Sequence, residues 1–150
     1  MKKWIIVGAL ILASIAGFVV YRAIVGESAG PLAGVEVDWR LLNEMDYISG
    51  KASKELSDLN DKMVKVPGFM VPLEDNQKSV TEFLLVPNAQ ACIHVPPPPP
   101  NQMIYVKMKR GAEFASEPIW VYGKFHIATQ NSKYGDASFE ILGEGVELYK

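Results

Sequence analysis

Cysteine, histidine and charge are all scarce in this chain. Of its 150 residues one is cysteine, Cys92, and two are histidine. A single cysteine excludes an intramolecular disulfide and a four-cysteine zinc cluster. Charged residues make up 21% and hydrophobic residues 49%, which excludes a disordered chain. The formal net charge is −2 and the sequence pI is about 5.7, without the clustered Lys and Arg that phosphate binding needs. A nucleic-acid binder is therefore not expected. Also missing are Gly-x-Ser-x-Gly, His-Glu-x-x-His, a phosphate-cradling glycine loop and a dinucleotide fingerprint. The expectation is a protein that is not an enzyme. At roughly 100–200 residues per domain, the length admits one globular domain with an appendage.

The appendage is N-terminal. Lys2 and Lys3 precede an uncharged apolar run over residues 4–21, which as a helix spans about 27 Å, close to a bilayer core of roughly 30 Å. Trp4 at one end and Tyr21-Arg22 at the other suit the two membrane interfaces. A cleavable signal peptide is the competing reading. It wants a shorter apolar core ending in a small-x-small site, and here Ala13-Ser14-Ile15-Ala16 lies inside the run. Residues 1–25 are therefore read as an uncleaved signal anchor. The positive-inside rule keeps the N-terminus in the cytoplasm, because Lys2 and Lys3 outnumber Arg22. The protein is then a single-pass inner-membrane protein with its C-terminal domain in the periplasm. Without the three basic residues of the anchor, 12 basic face 17 acidic residues, a net −5.

Residues 26–37 read as a Gly- and Pro-bearing linker, and residues 38–150 as the folded domain. Two short helices open the domain: one with Asp38 as cap and Trp39, Leu42 and Met45 about a turn apart, one from Ser53 to Leu59 with Ser53 as cap. From Lys62 onward the pattern is β. Strands are expected at residues 63–71, 80–86, 103–108 and 119–127, with a last strand over 138–142 and 146–148 interrupted at Gly143-Glu144-Gly145. Pro67-Gly68 marks a bulge or bend, and Gly123 a place for a coiled strand to bend. The fold class expected is mainly β: a small five-stranded OB-like barrel preceded by short helices, with a β-sandwich as the alternative.

One segment is unusual. Residues 92–102 read Cys-Ile-His-Val followed by Pro96, Pro97, Pro98, Pro99 and Pro100, then Asn101 and Gln102. Five prolines fix φ and form a polyproline II rod about 15 Å long. Such a rod is a preformed recognition surface that costs little entropy to bind, with Asn101, Gln102 and Tyr105 as polar and aromatic accompaniment. The plainer reading is a rigid crossover. Just before the rod, Cys92 and His94 point to one side of an extended segment, their Cα atoms about 6.6 Å apart. A thiolate and an imidazole at that spacing suit zinc or copper. His126 is the only other histidine; Met70 or Met103 would complete a copper site, Glu82 or Asp136 a zinc site. The alternatives are a buried thiol with a hydrogen-bonding histidine, or an intermolecular or redox-active disulfide.

The core Cys92-x-His94-x-Pro-Pro-Pro-Pro-Asn101-Gln102 resembles an uncharacterised bacterial domain-of-unknown-function family of exported proteins and lipoproteins. Further matches are residues 66–73, residues 82–87, Val121-Tyr122-Gly123 and Tyr134-Gly135, so the resemblance spans about residues 38–148. It implies an accessory protein of an envelope transport or metal-handling system, in some cases beside an ABC transporter. This chain lacks a lipidation cysteine, so its attachment rests on residues 4–21. The function expected is a non-catalytic, membrane-anchored periplasmic accessory or binding protein whose polyproline loop engages an envelope partner. The alternative is a zinc- or copper-binding protein using Cys92 and His94.

Overall fold

The structure is a computed structural model that describes residues 32–89 and 98–149. It is mainly β. A short strand β1 (Val35–Glu36) is followed by two single-turn helices, α1 (Trp39–Leu42) and α2 (Lys54–Ser57). Strands β2 (Met63–Pro72), β3 (Val80–Val86), β4 (Ile104–Ala112), β5 (Ile119–Ser132) and β6 (Gly135–Leu148) complete the sheet. A 3₁₀ turn, Pro100–Gln102, leads into β4. Among the described residues no helix is long and apolar enough to cross a membrane. The expected anchor lies outside them.

Both helix starts follow from capping. Asp38 accepts from the Arg40 and Leu41 amides, and Ser53 Oγ accepts from the Leu56 amide at 3.2 Å. Each satisfies donors that a helix start leaves orphaned. The helices stop after one turn, shorter than their apolar spacing predicts, and they contribute Leu42 and Leu56 to the core.

The ladder order is β1-β2-β3-β4-β6-β5, and β5 pairs in turn with β2. All neighbours are antiparallel except β1–β2 and β4–β6, which are parallel. The first long strand changes partner at the predicted bend: β2 pairs with β5 through Gly68 and with β3 from Phe69 onward. A Cβ on Gly68 would stand 2.7 Å from the Val86 carbonyl, so only glycine lets the strands approach here. Side chains alternate as period-2 strands require. Val64, Val66, Met70, Phe83, Leu85, Ile104, Val106, Phe125, Phe139 and Ile141 fill one interior. Leu84, Val86, Met103 and Ala137 form a second, smaller cluster on the opposite face of the strands.

Two expectations are corrected. The sheet has six strands, not five, because the end of the expected linker forms β1: Val35 and Glu36 lie alongside Val64 and Lys65. The interruption at residues 143–145 is a bulge within one continuous strand. Tyr122 faces Gly145 and Gly123 faces Gly143, which leaves Glu144 as the extra residue.

Candidate functional site

The second apolar cluster is overlaid by a polar network. On β4 the Tyr105 hydroxyl donates to Glu82 Oε2 on β3 at 2.8 Å, and Lys107 Nζ stands 3.6 Å from Glu82 Oε1. Cross-strand register sets both contacts, since Leu84 faces Tyr105 and Glu82 faces Lys107. Glu74, in the β2–β3 turn, accepts from the Thr81 hydroxyl and amide and from the Glu82 amide. Those donors, the Thr81 hydroxyl first, hold its carboxyl below the usual range. Tyr105 moves the other way. Burial, then the bond to Glu82, push its hydroxyl up to about 12.

A raised tyrosine pKa has a stability consequence. Between about pH 10 and 12 the unfolded chain loses this proton while the folded chain keeps it, so stability falls with rising pH in that window. Tyr105→Phe removes the proton from both states. The expected result is a shallower loss of melting temperature from pH 10 to 12; an unchanged slope would show that burial and Glu82 do not hold the proton on this hydroxyl.

Beside this network lies a cleft of about 620 Å³, within the range of small-ligand and peptide sites. Its floor is the C-terminal half of β2, Phe69 to Pro72. Its walls are Glu74, Asp75 and Gln77 of the β2–β3 turn, Phe114, Ala115 and Ser116 before β5, and Lys133 and Tyr134 of the β5–β6 turn. Ala89, where the proline-bearing connection begins, also lines it. Phe114 is tied to the β2–β3 turn by its amide, which donates to the Gln77 carbonyl at 2.9 Å.

The far end of the proline segment is anchored in the protein. Gln102 donates its amide to the Pro99 carbonyl at 2.8 Å, closing the 3₁₀ turn. Asn101 is only 9% exposed and points inward. Its Nδ2 donates to the Met45 carbonyl at 3.1 Å and the Asn43 carbonyl at 3.4 Å, while its Oδ1 has no partner among the described residues. Pro98 and Pro100 are half-buried, Pro99 is exposed, and Gln102 and Tyr105 are half-buried. Cys92, His94, Pro96 and Pro97 lie outside the described residues.

The expected metal partners are placed apart from one another. His126 is on β5 with Nδ1 3.3 Å from Asp61 Oδ1, and Lys124 meets the same carboxylate at 3.0 Å. Lys124 holds Asp61 below the usual carboxylate range. Met70 belongs to the main core and Met103 to the second cluster. Glu82 is engaged by Tyr105 and Lys107, and Asp136 sits near the tip of the β5–β6 hairpin opposite Asn131. Among the described residues no three His, Cys, Asp or Glu side chains come together to hold a metal ion. Sequence reasoning missed Phe114 and Lys133. Of the cleft, residues 66–73 and Tyr134-Gly135 were marked in the sequence, as family matches, and nothing in their spacing says that they share a cleft.

Residues 42–148 match the family model described as Protein of unknown function (DUF3299). The chain belongs to the DUF3299 family. A DUF3299 protein from Pseudomonas aeruginosa PAO1, known from a 2.45 Å crystal structure, is 31% identical to it. That match covers 79% of this chain and 97% of the other, with a TM-score of 0.66. No curated protein matches significantly. The cleft and the Tyr105–Glu82 network both fall within the residues that the DUF3299 model matches.

Proposed function

We propose that this DUF3299 protein is a non-catalytic binding subunit, held on the periplasmic face of the inner membrane by residues 4–21 and serving an envelope assembly such as a transporter. In this reading strands β2 to β6 are an OB-like barrel. The ladder order supports it: the first long strand pairs with the second and the fourth, and the third runs parallel to the fifth. OB barrels take extended ligands across their second and third strands, between the loop joining strands one and two and the loop joining four and five. Here those loops are the β2–β3 turn and the β5–β6 turn. The observation that carries the proposal is the cleft between them, on whose wall the proline-bearing connection begins at Ala89.

The acidic balance of the domain, −5 without the anchor, favours a protein partner over a nucleic acid. Asn101 fixes the described end of the proline segment to the domain. The test is to replace Pro97, Pro98 and Pro99 with Gly and Ser in the full-length chain. Crosslinking in native membranes then reads partner capture, and thermal melting reads the fold. Lost capture with an unchanged melting temperature is expected. Retained capture, or loss of folding, would reject the loop as the partner-binding element.

A further inference from the structure

Within β2, one stretch of backbone edge is left without a neighbour among the described residues. Two hydrogen bonds fix which way each peptide group of this strand points. The Val37 amide donates to the Lys65 carbonyl, and the Leu73 amide donates to the Glu82 carbonyl, both at 3.0 Å. Odd-numbered residues therefore address the side of β1 and β3, and even-numbered residues address the side of β5. On the odd side there is a gap at residue 67, between the end of β1 and the start of β3. That gap is closed off: Pro67 has no N–H, and its carbonyl accepts from the Trp39 indole at 2.6 Å.

The even side has no such provision. Pairing with β5 ends at Gly68 and Ile119, because the chain leaves the ladder at Pro118. Met70 lies one step beyond. Its N–H and C=O, with the Pro72 carbonyl, face the position that a continued β5 would have filled. No backbone or side-chain partner meets Met70 there among the described residues. Met70 also lines the cleft, which makes this edge reachable although the residue is only 5% exposed. A donor followed by two acceptors at strand spacing is complementary to an extended main chain.

We infer that the cleft receives a short extended peptide, which adds to the edge of β2 at Met70 where β5 stops. The side chains around that edge name its chemistry. Phe69, Val71 and Tyr134 offer apolar contact, so alternate residues of the peptide are aliphatic. Glu74 and Asp75 outnumber Lys133 around the cleft, and Asp75 is exposed with no ion-pair partner among the described residues, so the peptide carries a basic residue. This deepens the binding reading and rests on it, since it names the chemistry of the segment that a partner would insert. It does not depend on the proline rod.

The test uses the full chain in mild detergent and a capped eight-residue peptide of alternating Val and Lys. Two controls are the same peptide N-methylated at alternate residues on its pairing edge, and its Val/Glu counterpart. In the free protein the Met70 amide is expected to exchange with solvent about tenfold faster than those of Phe69 and Val71. The Val/Lys peptide slows that exchange. N-methylation weakens binding by about tenfold or more, as the loss of two backbone hydrogen bonds requires. The Val/Glu peptide and the Asp75→Lys variant each bind several-fold more weakly. The inference is overturned if Met70 is as protected as its neighbours in the free protein. It is equally overturned if the Val/Lys peptide does not bind at millimolar concentration, or binds without slowing exchange at Met70. Such a result with partner capture through the proline segment intact would remove the peptide edge and leave the binding subunit standing.

Discussion

Replacing Phe139 by alanine is expected to remove about 3–5 kcal/mol of folding stability, the cost of deleting a fully buried phenylalanine. A single domain holds roughly 5–15 kcal/mol in total, so the variant loses at least about a fifth of it. The position explains the size. Phe139 is inaccessible to solvent on β6, faces Ile104 across the parallel ladder and Ile127 across the antiparallel one, and packs its ring 5.4 Å from Phe125. The parallel β4–β6 pairing joins strands distant in sequence, and it depends on this side chain to seal it. Truncation leaves a cavity between two ladders whose backbones cannot close in without breaking register. Urea unfolding followed by the β signal in circular dichroism measures the effect, with Phe139→Leu giving a smaller loss. A change below about 1 kcal/mol in the alanine variant would mean that the two strands collapse onto the space, and that they are not packed as described.

The parts of this fold that were legible in the sequence are those with local causes. Asp38 and Ser53 announce helix starts because a cap acts within three residues of itself. Residues 80–86 read as a strand because an apolar β-branched run needs only its own side chains to declare it, and β3 occupies those residues. Pro67-Gly68 marked a special place in the strand, and it is there that β2 exchanges β5 for β3 as its partner. What the sequence did not reveal depends on distant segments. Two residues of β1 carry no periodicity, and their pairing with Val64 and Lys65 is decided elsewhere in the fold. The cleft gathers residues from four separate stretches between Phe69 and Tyr134, and the strand order alone makes them neighbours. Asn101 is a third such case: polar and beside a proline run, it reads as surface decoration, yet its side chain is spent on the interior.

That interior role predicts a charge-sensitive foot for the proline segment. Asn101→Asp is expected to destabilise the protein at pH 7 by about 3–5 kcal/mol, the usual cost of an uncompensated buried charge. The two contacts of Nδ2 are both carbonyl oxygens, of Met45 and Asn43, and among the described residues the Oδ1 site already lacks a donor. An ionised carboxylate there would face acceptors and no proton. Burial without donors raises the folded-state pKa above the roughly 3.9 of an unfolded aspartate. Below that value both states are protonated and the penalty vanishes, with the acid O–H free to donate to one of the two carbonyls. As pH rises through the folded pKa the stability is lost, and the deficit against the parent protein levels off above it. The Asn101→Leu variant separates charge from lost hydrogen bonds. It abandons both carbonyls and also removes the orphaned oxygen, so its cost of about 1–3 kcal/mol does not vary with pH. Thermal melts of the parent and both variants at pH 4, 5.5 and 7 decide the matter. A deficit in the aspartate variant that shrinks towards pH 4, with a flat deficit in the leucine variant, is expected. Equal, pH-independent deficits would show that residue 101 meets water, and that the proline segment leaves the domain from a looser base.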